Sequence, residues 1–165
     1  DTFCYLITNS EKTAKLVNQI VSKLLPTIQR KELVKSSLSK NGFIAVCKNS
    51  SDMVNLANSL APEHLQIMTK NPKSISSKIT TAGLVLLGDY SPSSASDYIL
   101  GSNHILPTNG FGKIRGSLSV MDFIKINTEV TASKLSLSKI SKHLDTLTTS
   151  EGLPNHYEAV RGRLQ

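Results

Sequence analysis

Glu63 and His64 are neighbours in the chain, directly after Pro62 and at the head of an apolar run. The pair sets a carboxylate beside an imidazole. Imidazole titrates near neutrality, so it suits proton abstraction at physiological pH. The adjacent carboxylate can act as a second base or activate a water. An ion pair at a helix end is the plainer role for the same two residues. Asp97 and His104 share a polar stretch. Carboxylate oxygen and imidazole nitrogen are ordinary zinc donors, and both side chains also serve as caps and turn-formers. Glu151 and His156 flank the helix start Ser150-Glu151-Gly152-Leu153-Pro154. Their spacing does not stack them on one face of a regular helix, but they can converge across a turn. His143 lies on the polar face of a helical run and reads as solvated. No G-x-G-x-x-G occurs, and Gly110-Phe111-Gly112 is too short for a phosphate loop. C-x-x-C and H-E-x-x-H are also absent, so any metal site is assembled from distant residues.

The elements that must position these groups follow from the apolar pattern. Thr2 to Thr8 predicts a buried strand. Ser10 caps a helix carrying Leu16, Val17, Ile20, Val21, Leu24 and Leu25, which Pro26 interrupts. Gln29 to Leu38 predicts a second helix, stopped by Asn41-Gly42. Gly42 to Lys48 is a strand, and Ser51 or Asp52 caps a helix that ends at Pro62. Leu65 to Thr69 is a short strand, Pro72 to Ile79 a helix, and Ala82 to Leu87 an unbroken apolar strand. Continuous apolar strands alternating with amphipathic helices predict a parallel sheet covered on both faces, with ligands beyond the strand C-termini. From Gly88 to Gly116 no hydrophobic period is visible; a loop of this length is usually functional or disordered, and its density of Asp, Tyr, Asn and His favours function. Ser119 to Thr128 resumes helical spacing. Thr131 to Ser136 reads as a linker. Leu137 to Leu147 and Leu153 to Leu164 predict a helical tail. The fold class is α/β, with residues 1–117 as a parallel-sheet domain part and residues 118–165 as a small C-terminal helical tail domain.

The chain has 165 residues, 39% of them hydrophobic, which is enough for a packed core. No apolar run approaches the ~20 residues of a membrane helix. The net charge of +7 would suit a nucleic-acid or membrane partner. The lysines are dispersed, however, and with no Trp there is little for bases to stack on, so the charge reads as a solvated surface. Cys4 and Cys47 sit in apolar runs and read as buried reduced thiols. The chain opens in mid-pattern at Asp1 without a Met, which suggests a piece of a longer polypeptide.

Several motifs resemble one family. Leu60-Ala61-Pro62-Glu63-His64-Leu65 is similar to the A-P-E-H-L stretch of histidinol dehydrogenases. Tyr90-Ser91-Pro92, Asp97-Tyr98, Gly101, Asn103-His104 and Leu106-Pro107-Thr108 resemble that family's Y-S/T-P-E-x-x-G-D-Y-x-x-G-x-N-H-x-L-P-T run. Leu118-Ser119-Val120, Asp122-Phe123 and Lys125 resemble its L-S-V-x-D-F-x-K. Glu151-Gly152-Leu153, His156, Ala159-Val160 and Arg163 resemble its E-G-L-x-x-H-x-x-A-V-x-x-R. Ser96 stands where the family usually has Gly, Ser93 where it has Glu, and Gly112-Lys113 where Ala-Arg is common.

The resemblance implies oxidation of L-histidinol to L-histidine in two NAD-dependent steps, the last of histidine biosynthesis. It implies a Rossmann-like, aldehyde-dehydrogenase-like domain. His64 matches the base of the first oxidation, and Glu63 the residue that activates water. Asp97 and His156 match two of four zinc ligands. His64, Asp97, Glu151 and His156 match substrate-contacting positions, while His104 has no firm role. The tail residues Glu151 and His156 would reach the partner's site, which implies a cytoplasmic homodimer with shared sites. The family's other zinc ligands, a Gln and a His, and its NAD-contacting part lie upstream of Asp1, so this chain alone is expected to be inactive. A basic nucleic-acid-binding module and a metal-free dimerisation domain are the competing readings.

Overall fold

The computed structural model describes residues 2–165 and divides into two compact units, Asp1–Asp122 and Phe123–Gln165. The boundary expected from the sequence, between residues 117 and 118, falls slightly earlier. In the first unit β1 (Cys4–Thr8) leads into α1 (Glu11–Leu24). Ser10 starts α1 because its side chain accepts a hydrogen bond from the Thr13 amide, satisfying one of the free donors at the helix start. The buried Thr8 hydroxyl accepts from the Ser10 amide and so ties strand to helix. After α2 (Lys31–Asn41), Gly42 opens β2 (Gly42–Val46). A side chain at Gly42 would stand 2.6 Å from the Leu38 carbonyl oxygen, so only glycine lets the strand leave the helix so abruptly.

α3 (Ser50–Leu60) follows, then β3 (His64–Ile67), α4 (Pro72–Ser76) and β4 (Leu84–Leu87). Asn49, rather than Ser51 or Asp52, is the N-cap of α3. Its side chain accepts from the Asp52 amide and donates to the Asp52 carboxylate, a reciprocal pair that neither alternative could make. β1 pairs with β2 and β3 with β4, both in parallel. The strands therefore form two separate two-stranded parallel sheets among the described residues, not the single sheet expected. Cover on both faces is also incomplete. Phe43, Ile44 and Val46 of β2 are exposed, and the buried apolar residues are Ala14, Val54, Ala57, Ala61, Ile67 and Leu86. The cysteines are corrected too: Cys4 is exposed and Cys47 half-buried, because Cys4 opens β1 and Cys47 lies just past β2, at the ends of a two-stranded sheet.

The long polar loop contains one short helix, α5 (Ser93–Ser96), and a 3₁₀ turn at Phe111–Lys113. Gly112 packs its backbone on Thr81 and Gly83, where an added Cβ would collide with main-chain atoms. The stretch from Ser119 to Thr128 is not the helix its spacing predicts. Only Val120–Phe123 forms a 3₁₀ turn, and Val120, Phe123 and Ile124 are exposed, so no buried face supports a longer helix.

The second unit holds α6 (Lys134–Ser150) and α7 (Pro154–Leu164). Ser133 caps α6, so the expected linker ends inside a helix start. The two helices run antiparallel. Lys134 Nζ donates to the Gln165 carbonyl at 2.9 Å, and the Ser141 and Tyr157 hydroxyls lie 3.3 Å apart. Among the described residues no helix is long and apolar enough to cross a membrane.

Candidate active site

The approach to His64 begins with strain. Ala61 is buried and takes a left-handed conformation (φ 46°, ψ 59°) immediately before Pro62. The alanine Cβ and the following proline both disfavour that conformation, so the surroundings must impose it. The next residues are clamped to the β4 side. Gly83 N–H donates to the Pro62 carbonyl and Leu84 N–H to the Glu63 carbonyl, each at 2.9 Å. A Cβ on Gly83 would meet the Glu63 carbonyl oxygen and the Pro107 ring. His64 then starts β3 opposite Leu84, with its ring 21% exposed.

His64 Nε2 lies 3.1 Å from Asp97 Oδ1, across 33 positions of sequence. An ionised carboxylate only accepts, so Nε2 carries the proton and donates to Asp97. Nδ1 is then the nitrogen with the free lone pair. It faces Glu63 Oε1 at 3.8 Å, too far for a hydrogen bond but close enough to stabilise a charged ring. The structure thus gathers Glu63, His64 and Asp97. His104 is exposed and lies outside this cluster.

The loop that carries Asp97 is built from side-chain bonds. Asn103 donates from Nδ2 to the Leu118 carbonyl at 2.8 Å and accepts from the Ile105 amide at 3.0 Å. Leu118 N–H returns to the Ile105 carbonyl. Asp122 accepts from the Ser119 amide and from Arg115 Nη2, both at 2.7 Å. Asn103, Arg115 and Asp122 carry no such role in the residue-by-residue reading. A polar residue bonding main chain 15 positions away leaves no local spacing signal.

The Asp122 carboxyl is held below its ordinary pKa, chiefly by the Ser119 amide and also by Arg115. A lowered carboxylate pKa stabilises the fold above the ordinary carboxylate range. That contribution is lost as pH falls through the lowered value. The Ser119 amide proton should therefore titrate with Asp122, at a midpoint below that of a free aspartate. A pH series of amide shifts checks this, and a midpoint at or above the free value would contradict it.

In the second unit, Glu151 follows α6 and donates its amide to the Leu147 carbonyl. Gly152 takes a positive φ of 71°, the left-handed turn that lets the chain reverse into α7. His156 lies in the first turn of α7, and its N–H donates to the Leu153 carbonyl. Glu151 and His156 are both exposed on this turn, and His143 is exposed on α6. Among the described residues, no three His, Cys, Asp or Glu side chains gather closely enough to hold a metal ion.

The sequence model of histidinol dehydrogenases matches residues 1–164. The chain belongs to the histidinol dehydrogenase family. A histidinol dehydrogenase from Oceanobacillus iheyensis is 40% identical over 157 residues, covering 95% of this chain and 37% of the relative. One from Methanopyrus kandleri is 40% identical over 159 residues, covering 96% and 37%. The crystal structure of histidinol dehydrogenase from Elizabethkingia anophelis superposes with a TM-score of 0.87 at 32% identity, covering 97% of this chain and 37% of that one. The chain therefore spans little more than a third of the length of these histidinol dehydrogenases.

Proposed function

We propose that this chain supplies the acid–base half of a histidinol dehydrogenase active site, oxidising L-histidinol to L-histidine in two NAD-dependent steps. The observation that carries the reading is the alignment of Glu63, His64 and Asp97, with His64 Nε2 tied to Asp97 at 3.1 Å. With Nε2–H committed to Asp97, Nδ1 of His64 takes the alcohol proton as hydride departs. Glu63, 3.8 Å from that nitrogen, offsets the charge on the ring. In the second oxidation Glu63 removes a proton from the water that attacks the aldehyde carbon. NAD, when bound, would supply the hydride acceptor for both oxidations.

Asp97 and His156 are of the donor types that zinc takes, and we assign them as two of its ligands. On this reading the remaining ligands come from outside this chain; among the described residues no three such donors gather. When bound, zinc would hold the substrate through its imidazole and amine nitrogens. Glu151 and His156 contact substrate from a tail that docks on a second protomer, which makes the enzyme a homodimer with shared sites. On the same reading the two small sheets belong to a Rossmann-like, aldehyde-dehydrogenase-like domain, residues 118–165 are the dimer-contacting tail, and the enzyme is cytoplasmic. The exposed residues of β2 favour a larger sheet domain, since parallel strands are normally covered on both faces.

A chimera tests the proposal. Residues 1–164 would replace the matching segment of the Oceanobacillus iheyensis relative. With histidinol, NAD and zinc it should produce NADH, and the 165-residue chain alone should not. A folded chimera without turnover, or appreciable turnover by the chain alone, would overturn it.

A further inference from the structure

Ser96 is 0% exposed, and it immediately precedes Asp97. Its hydroxyl donates to the Ser93 carbonyl at 2.7 Å, and its amide to the Pro92 carbonyl at 3.3 Å. Its own carbonyl accepts the Ser102 hydroxyl at 2.7 Å. The two hydroxyl bonds are short, and with Ser96 itself fully buried an unmade one would be costly.

They matter because of what α5 lacks. It is only four residues long, far below the length at which a helix holds itself together. Asp97 is its C-cap, and beyond it the chain passes the exposed Tyr98, Ile99 and Leu100 to the positive-φ Gly101. The Ser96 carbonyl and the Asp97 amide share one peptide plane. Fixing that carbonyl through Ser102 fixes the plane from which the Asp97 side chain departs. The Ser93 bond ties the Ser96 side chain back to the first residue of α5, which holds the Ser96 α-carbon that carries this plane. Two hydroxyls thus do what further helical turns would otherwise do.

We propose that Ser96 is the positioning residue of this site, with Ser102 as its partner. Together they hold the Asp97 carboxylate on His64 Nε2 before any ligand arrives. This rests on and deepens the functional reading above, because a base whose ring is already oriented needs no reorganisation when substrate binds. Ser96 touches no reacting atom and acts only through Asp97.

The test uses the whole 165-residue chain, labelled with ¹⁵N in its histidine rings. The readout is solvent exchange of the His64 Nε2–H proton, set against the backbone amides of the β3–β4 ladder. S96A and S102A should each speed ring-proton exchange by about tenfold, the equivalent of one hydrogen bond. The ladder amides should change by less than about twofold. S102T keeps the hydroxyl and should retain the protection. D97N should lose it, which shows that the readout senses the pair. If S96A does not fold, S102A and S102T carry the comparison. Ring proton and ladder amides accelerating together would reduce the serines to structural residues and overturn the proposal, and so would no change in either. A chimera without turnover whose ring proton stays protected would sink the catalytic reading and leave this one standing.

Discussion

His64→Gln in the chimeric enzyme slows the first oxidation by about 10²–10⁴-fold, the usual contribution of a positioned base. Glutamine can still donate from its amide to Asp97, so the loop geometry has a substitute partner. What it lacks is a lone pair able to take a proton near neutrality. The loss should therefore appear in kcat at saturating histidinol, with KM and bound zinc changing only a few-fold. Rapid-mixing measurement of NADH formation, with metal content of the same sample, separates these. Unchanged alcohol oxidation at saturation would remove His64 from the chemistry. A large loss of zinc would instead make it a structural support of the metal.

The second large effect splits the reaction. Glu63→Gln should leave alcohol oxidation within about tenfold of the parent but slow aldehyde oxidation by about 10²–10³-fold, as expected when a general base for water is removed. The substitution keeps the side chain's size and removes its negative charge and basicity. In the parent, each histidinol yields two NADH. In the variant, the first turnover should approach one, with the aldehyde detectable by a carbonyl-trapping reagent. A variant that still gives two NADH at the parent rate would exclude Glu63 as the base. The partial loss in the first step follows from geometry, since Glu63 Oε1 lies 3.8 Å from the His64 nitrogen that receives the proton.

Some elements are legible from the chain alone because their causes are local. Ser10 starts α1 by bonding an amide three positions on, and Gly42 ends α2 because no side chain fits there. Pro72 and Pro154 open α4 and α7, where the missing N–H costs nothing. The apolar runs of β1 and β4 mark strands for the same reason. Where the cause is burial, the pattern misleads. Val120, Phe123 and Ile124 have helical spacing without a buried face, and the apolar residues of β2 are exposed among these helices. The cap of α3 also escaped, since Asn49, Ser51 and Asp52 are all suitable cap types or neighbours of one, and only the reciprocal Asn49–Asp52 bonding decides.

The candidate site divides the same way. Residue types alone suffice to mark Glu63 beside His64 as an acid–base pair, because peptide bonds enforce their proximity. Family motifs add Asp97, Glu151 and His156 as site positions. Neither kind of reading brings Asp97 to His64, sets Nε2 rather than Nδ1 as the bonded nitrogen, or buries the Ser96 hydroxyl behind them. Those depend on β3, the strained Ala61 turn and α5 meeting in space. Between His64 and Asp97, 33 positions apart, the chain passes through α4, β4, part of the polar loop and α5, a combined path that no local spacing encodes. Sequence determined which chemical groups are available, since composition is carried by the chain itself. Tertiary structure decided which of them share a hydrogen bond, because that interaction fails beyond about 3.5 Å and only folding sets distances so finely.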